Sequence, residues 1–265
     1  MNPGPDPSTL ADELALAHRL ADAAAAVALP VYLDRSFTVH RKADRSEVTE
    51  ADRRAETAIA EVLATERPHH AMFGEEHGRV GPTDSPWLWI VDPIDGTSNF
   101  VRGIPVWATL VALVHRDHGP VVGLVNAPAW GTRWWAARGL GAFVDGRPIR
   151  VSEVTRLDEA QVCVTFNEGW DALGLTPALV ELQTRAGRAR GFGDFWQHML
   201  VAEGAVDLAV DEVGLGTYDV AAVQVIVEEA GGRFTDRQGR RRIDTGTAVS
   251  SNGHLHHEAI DRLGH

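Results

Sequence analysis

Residues 89–100 read WIVDPIDGTSNF. The apolar run Trp89–Val91 has the character of a buried strand that ends at Asp92. Strand interiors exclude proline and paired charges unless something at the strand end needs them. Yet Asp92 and Asp95 stand three apart around Pro93, with Gly96-Thr97 directly behind. Two carboxylates flanking a stiff Pro-Ile turn, with the Ile94 carbonyl between them, make a set of oxygen ligands. Gly96 and Thr97 then open a helix whose first amides can receive a phosphate oxygen.

Two further acidic sites fall where a strand ends or a helix begins. One is Gly74-Glu75-Glu76, after the run Ala71–Gly74; the other is Tyr218-Asp219-Val220-Ala221-Ala222, where Asp219 opens a helix. Singly, each has an ordinary explanation, since Glu pairs are usually solvated and Asp is a common helix cap. Gathered together, the carboxylates form a hard-oxygen site suited to Mg²⁺ or Mn²⁺ and not to zinc. Two such ions roughly 3.5–4 Å apart bridge a phosphate and acidify a water in sites of this type.

The remainder of the chain sets bounds on that reading. Its 265 residues suffice for one large domain or two coupled halves, and 44% hydrophobic with 23% charged is ordinary globular composition. A net charge of −12 argues against a nucleic-acid partner and requires local cations if the substrate is an anion. The lone Cys163 allows no intrachain disulfide, which suits a reducing compartment. MNPGPDPSTL lacks the pattern of a signal peptide, and the apolar run Val106–Val114 is too short to cross a bilayer, so a cytoplasmic protein without a membrane partner is expected.

Helices are expected from Ser8 to about Leu29, closed by Pro30, and from about Ala51 to Arg67. Strands follow at Ala71–Gly74, Trp87–Val91, Val106–Val114, Val121–Asn126 and Thr132–Ala136. Beyond about Ser152 strands and helices alternate, with helices at Thr176–Ala186, Phe195–Glu203 and Val220–Ala230. The pattern gives an α+β half over residues 1–151 with most of the ligands and an α/β half over 152–265, packed as one unit. In the tail, His254, His256 and His257 are expected to be solvated.

Glu75 within GEE, Asp92–Phe100 as DPIDGTSNF and Tyr218–Ala222 as YDVAA, in this order, resemble the inositol monophosphatase superfamily of Mg²⁺-dependent phosphatases. The stretch from Lys42 through Val48-Thr49-Glu50-Ala51-Asp52 is similar to that family's mobile lysine loop and the segment after it. The resemblance runs from about residue 10 to the C-terminus. It implies a layered αβαβα sandwich, usually a homodimer, with two or three Mg²⁺ per site. By resemblance, Glu75, Asp92 and the Ile94 carbonyl hold a first ion, and Asp92, Asp95 and Asp219 a second. Glu75 contributes to a weaker third. Asp52 and Thr97 orient and deprotonate the attacking water, Lys42 approaches the metals or the phosphate, and Gly96 and Thr97 supply amides to the phosphate. Ser98 and Tyr218 depart from the family's commoner residues at positions that touch substrate preference, not metal binding.

The second half bears on the ester. Arg190-Gly-Phe-Gly193-Asp194-Phe195 resembles the histidinol-phosphate phosphatases of the superfamily, as do residues 100–113 and 132–143. Histidinol phosphate carries an ammonium and an imidazole, which Asp194 and Glu212 can pair with. Asp194 also reads as an N-cap of the helix that follows. L-Histidinol phosphate is therefore the expected substrate, with inositol 1-phosphate or another small sugar phosphate as the alternative.

Overall fold

The computed structural model describes residues 5–35, 37–41 and 47–264. The chain begins with α1 (Pro7–Asp34), an antiparallel pair β1 (Val39–Arg41) and β2 (Glu47–Thr49), and α2 (Glu50–Glu66). Next come β3 (Ala71–Gly74), β4 (Gly78–Val80), β5 (Trp87–Asp95), α3 (Thr97–Arg102), β6 (Ala108–His115), β7 (Gly119–Ala127), β8 (Thr132–Ala137), β9 (Gly141–Val144) and β10 (Arg147–Pro148). The second half runs β11 (Gln161–Val164), α4 (Glu168–Ala172), α5 (Thr176–Arg185), β12 (Arg188–Arg190), α6 (Asp194–Ala202) and β13 (Leu208–Val210). It ends with α7 (Thr217–Glu229), β14 (Arg233–Thr235), β15 (Val249–Ser251) and α8 (His256–Leu263).

Two sheets organise the molecule. An eight-stranded sheet has the order β10-β9-β8-β7-β6-β5-β3-β4, and a five-stranded sheet the order β12-β11-β13-β15-β14. Leu16, Leu20 and Ala24 of α1 and Ile59 of α2 pack on one face of the larger sheet with Trp89, Val111 and Leu124. Its other face meets α6 and α7 through Leu110, Val125, Phe195 and Val223. Leu179 and Leu182 of α5 and Leu263 of α8 pack with Val162 and Leu208 of the smaller sheet. The result is the αβαβα sandwich expected from the resemblance. At Gly123 of β7 a Cβ would lie 2.4 Å from the Ala222 carbonyl oxygen, so α7 sits on the sheet more closely than any side chain would allow.

Several boundaries differ from the sequence expectation. Pro30 lies inside α1 instead of ending it, and Asp6, not Ser8 or Thr9, caps the start by accepting from the Ser8 amide at 2.8 Å. A proline in mid-helix costs about 3 kcal/mol. The last turn is nonetheless held by Tyr32, whose hydroxyl donates to the Gly103 carbonyl at 2.9 Å and whose ring packs on Phe100 and Trp107. At 28 residues α1 is long and apolar enough, by length and composition alone, to cross a bilayer, which the reading of Val106–Val114 had overlooked. Here its buried face is core. His256 is also core, correcting the solvated reading of the tail: its Nε2 lies 2.8 Å from Thr235 Oγ1 and its Nδ1 2.9 Å from Ser251 Oγ.

Candidate active site

The Asp-Pro-Ile-Asp segment is not a turn after the strand. β5 continues to Asp95, and its pairing with β6 slips inside the motif. Asp92 faces Leu110 and Asp95 faces Ala108, so three steps along β5 match two along β6. Successive strand residues alternate faces, so residues three apart ordinarily point oppositely; the extra residue returns both carboxylates to one face. The Thr109 hydroxyl fastens the irregularity by donating to the Pro93 carbonyl at 2.9 Å, and the Ile94 amide donates to Asp92 Oδ1 at 2.9 Å.

Asp219 joins this pair from α7. It stands at the third position of the helix, where its Oδ2 accepts from the Gly216 amide at 2.6 Å. Carboxylate oxygens of Asp92, Asp95 and Asp219 all lie within 4.8 Å of one another. Burial first, then the charges of Glu75, Asp95, Asp219 and Asp52, pushes the Asp92 carboxyl well above its ordinary value. Asp95 is raised in the same direction by burial and then by Asp194 and Asp219, and Asp219 rises to about 7, chiefly through burial. Glu75 follows β3, with its amide donating to the Val91 carbonyl at 3.3 Å, close enough for its charge to be felt at Asp92 and Asp219.

Asp52 and Thr97 meet beside this cluster. The Thr97 hydroxyl lies 3.1 Å from Asp52 Oδ1 and 2.9 Å from the Ile94 carbonyl oxygen, two acceptors for one proton. Asp52 Oδ2 accepts from the Thr49 amide at 2.8 Å and the Thr49 hydroxyl at 2.7 Å, closing the capping box of α2. Burial drives the Asp52 carboxyl up to about 6 against those lowering bonds. Gly96 precedes α3 with φ 81, and a Cβ there would lie 2.8 Å from the Val106 carbonyl oxygen. Ser98, next on α3, is exposed and donates to Glu47 Oε2 at 2.9 Å.

A small cavity of about 70 Å³ opens against this cluster, lined in part by Asp95, Asp219, Asp194 and Glu212. Asp194 does not cap α6: it is the helix's first residue, at φ 47, with Gly193 ahead of it and no side-chain cap bond. Its Oδ2 instead accepts from Asn99 Nδ2 at 2.7 Å. Burial first, then the Asp211 and Glu212 charges, holds its carboxyl up to about 7. The next amide, of Phe195, donates to Asp95 Oδ2 at 2.8 Å, so α6 is tied directly to the carboxylate pair. Arg190 stands apart, exposed on the edge strand β12 and donating to the Ala189 carbonyl at 2.6 Å. Lys42 lies outside the described residues.

Two contributors were not anticipated. Glu56, fully buried one turn after Asp52, accepts from the amides of Glu76 and His77 at 2.8 Å each and so fixes the turn that carries Glu75. Its spacing from Asp52, on the face that Ala51, Ala55 and Ile59 bury, was the available signal. Asn99 fixes Asp194 and, through a second bond of 2.9 Å, the Val106 carbonyl.

A profile of the Inositol monophosphatase family matches residues 10–263. A histidinol-phosphatase from Streptomyces coelicolor is 44% identical, the match covering 95% of this chain and 97% of that one. A histidinol-phosphatase from Mycobacterium tuberculosis is 45% identical, covering 95% and 98%. Among solved structures, the extragenic suppressor protein suhB from Bartonella henselae superimposes with a TM-score of 0.87 at 29% identity, covering 95% of this chain and 98% of that one.

Proposed function

The chain belongs to the inositol monophosphatase family, and from that premise we propose that it is a metal-dependent phosphomonoesterase converting L-histidinol phosphate to L-histidinol and phosphate. One observation carries the reading: a single cavity sets Asp95 and Asp219 beside Asp194 and Glu212. The first pair suits a cation-bound phosphate and the second a leaving alcohol that bears an ammonium and an imidazole. The identity of 44–45% to two histidinol-phosphatases supports the same substrate.

The donor set fits a hard divalent ion. It offers carboxylates within 4.8 Å of one another, and their raised proton affinities mark a negative charge that the surrounding protein leaves uncompensated. Glu75, Asp92, Asp95, Asp219 and the Ile94 carbonyl hold Mg²⁺, two or three ions, with Mn²⁺ as a substitute. Bound there, the cations would supply charge to offset the carboxylates and the phosphate and would lower the pKa of a neighbouring water. Thr97 would orient a water and Asp52 receive its proton as the oxygen attacks phosphorus and the phosphorus–oxygen bond to histidinol breaks, the departing alkoxide taking a proton from solvent. An Asp52 carboxyl near 6 is a competent base at neutral pH. The first amides of α3, at Gly96 and Thr97, have no intrahelical partner and receive phosphate oxygens, with Ser98 beside them. Lys42 completes the set as a cation that approaches the metals or the phosphate. We place the enzyme in the cytoplasm as a homodimer, for which light scattering is the check.

The deciding experiment measures phosphate release from L-histidinol phosphate and from myo-inositol 1-phosphate, each with Mg²⁺ and with EDTA. The expected result is Mg²⁺-dependent turnover that favours histidinol phosphate. Preference for the inositol ester would keep the chemistry and overturn the substrate.

A further inference from the structure

The cavity holds more acid than the proposed chemistry uses. Five of the side chains lining it are carboxylates, Asp95, Asp194, Asp211, Glu212 and Asp219, and among the described residues no Lys or Arg lines it. Asp95 and Asp219 face the phosphate chemistry and Asp194 and Glu212 the alcohol, which leaves Asp211. This residue follows β13 and is only 4% exposed. Its Oδ1 accepts from the Glu212 amide at 2.8 Å, and its Oδ2 lies 2.9 Å from His198 Nε2. The other nitrogen of His198, Nδ1, lies 2.8 Å from Ser250 Oγ. His198 and Ser250 are both fully enclosed, so a buried chain Ser250–His198–Asp211 runs from the middle of the smaller sheet, through α6, to the cavity wall. His198 stands one helical turn after Asp194, so a single helix sets both carboxylates.

A carboxylate this enclosed is costly to the fold unless donors meet its oxygens. The Glu212 amide donates to one; the His198 imidazole donates to the other in the tautomer that carries its proton on Nε2, with Nδ1 then accepting from the Ser250 hydroxyl. The arrangement costs the fold two enclosed polar side chains on α6 and β15, and nothing in the phosphate chemistry requires them. We propose that Asp211 is a third carboxylate of the alcohol-binding end, held in place by His198 as a positioning residue. With Asp194 and Glu212 it selects phosphate esters whose leaving alcohol carries a positively charged ammonium beside an imidazole. The inference rests on the function proposed above and names the part of the site that enforces it. A neutral polyol brings no charge to offset three clustered carboxyl groups in a space of about 70 Å³, whereas an ammonium does.

The test compares wild type with Asp211→Asn, which keeps the shape and removes the charge. It adds His198→Phe, which removes the donor, and His198→Gln, which retains one. Each is assayed on L-histidinol phosphate and on 4-nitrophenyl phosphate, whose alcohol is uncharged, over a range of Mg²⁺ concentrations. For Asp211→Asn and His198→Phe the KM for histidinol phosphate is expected to rise about tenfold with kcat within about twofold. Values for the nitrophenyl ester and the Mg²⁺ half-saturation should not move, and His198→Gln should return toward wild type. An unchanged KM for histidinol phosphate overturns the proposal. So does an equal loss on both esters, or a shifted Mg²⁺ requirement, because either marks a structural or metal-side role. Failure of the underlying function is visible separately and earlier: wild type alone would show no preference for the charged ester, and the inference would fall with it.

Discussion

Asp52 works with both its oxygens. One closes the capping box of α2 and the other receives the Thr97 hydroxyl, so the start of a helix and the proposed proton path share one carboxylate. In Asp52→Asn the amide oxygen still accepts from Thr49, but the base is gone. kcat is expected to fall at least about 100-fold while the melting temperature holds. Steady-state kinetics with a thermal melt checks this; activity within about tenfold of wild type would remove Asp52 from the proton path. The acids of the Asp-Pro-Ile-Asp motif were legible in the sequence because paired carboxylates around Pro-Ile have few structural explanations. Glu56 was not, because an acid on a helix reads as solvated until the chain it faces is known. Asp194 allowed two readings, and its bond to Asn99, 95 residues earlier, removes the cap.

Elements were predicted best where short-range signals suffice. β3 and the helices from Thr176 and near Ala51 lie close to their expected bounds. Errors came where a distant contact outweighed a local rule, as when Tyr32 carried α1 past Pro30, or where a strand was too short to show periodicity, as in β12 and β14. The placement of α7 shows what such contacts are worth. Asp219 enters the carboxylate cluster only because Gly123 lets the Ala222 carbonyl close on β7. Gly123→Ala is expected to destabilise the protein by about 1–3 kcal/mol and to raise the Mg²⁺ concentration needed for half-maximal activity. Denaturant titration and Mg²⁺-dependent rates measure the two effects; a variant unchanged in both would show that α7 has slack against the sheet.

At the scale of the whole molecule, the buried acids set how stability answers to pH. The carboxyls of Asp52, Asp194 and Asp219 rise from 3.8 to about 6, 7 and 7, and those of Asp92 and Asp95 rise as well. The folded chain therefore binds more protons than the unfolded chain from about pH 4 upward, and stability falls as pH rises through those values. His70 and His256, lowered by burial to about 4, act in the opposite sense: their contribution is lost as pH falls from 6.5 toward 4. Above pH 6.5 only the carboxylates remain. In EDTA the melting temperature should drop between pH 6.5 and 8, and saturating Mg²⁺ should remove most of the drop. We propose that the two halves melt as one unit, since α6 and α7 pack between both sheets, so tryptophan fluorescence and far-UV circular dichroism should trace one transition. A flat melting temperature in EDTA over that range, or two separated transitions, would count against these statements.

The slip between β5 and β6 also sets how the gene can change at this point. Deleting Ile94 would restore an unbroken ladder and yield the more regular sheet, with the two aspartates two apart and still on one face, but it would remove the carbonyl that accepts from the Thr97 hydroxyl and the amide that fixes Asp92. Drift toward better strand pairing and retention of a working site thus pull in opposite directions here. Length between the two aspartates matters to the site in its own right, apart from which residues fill it.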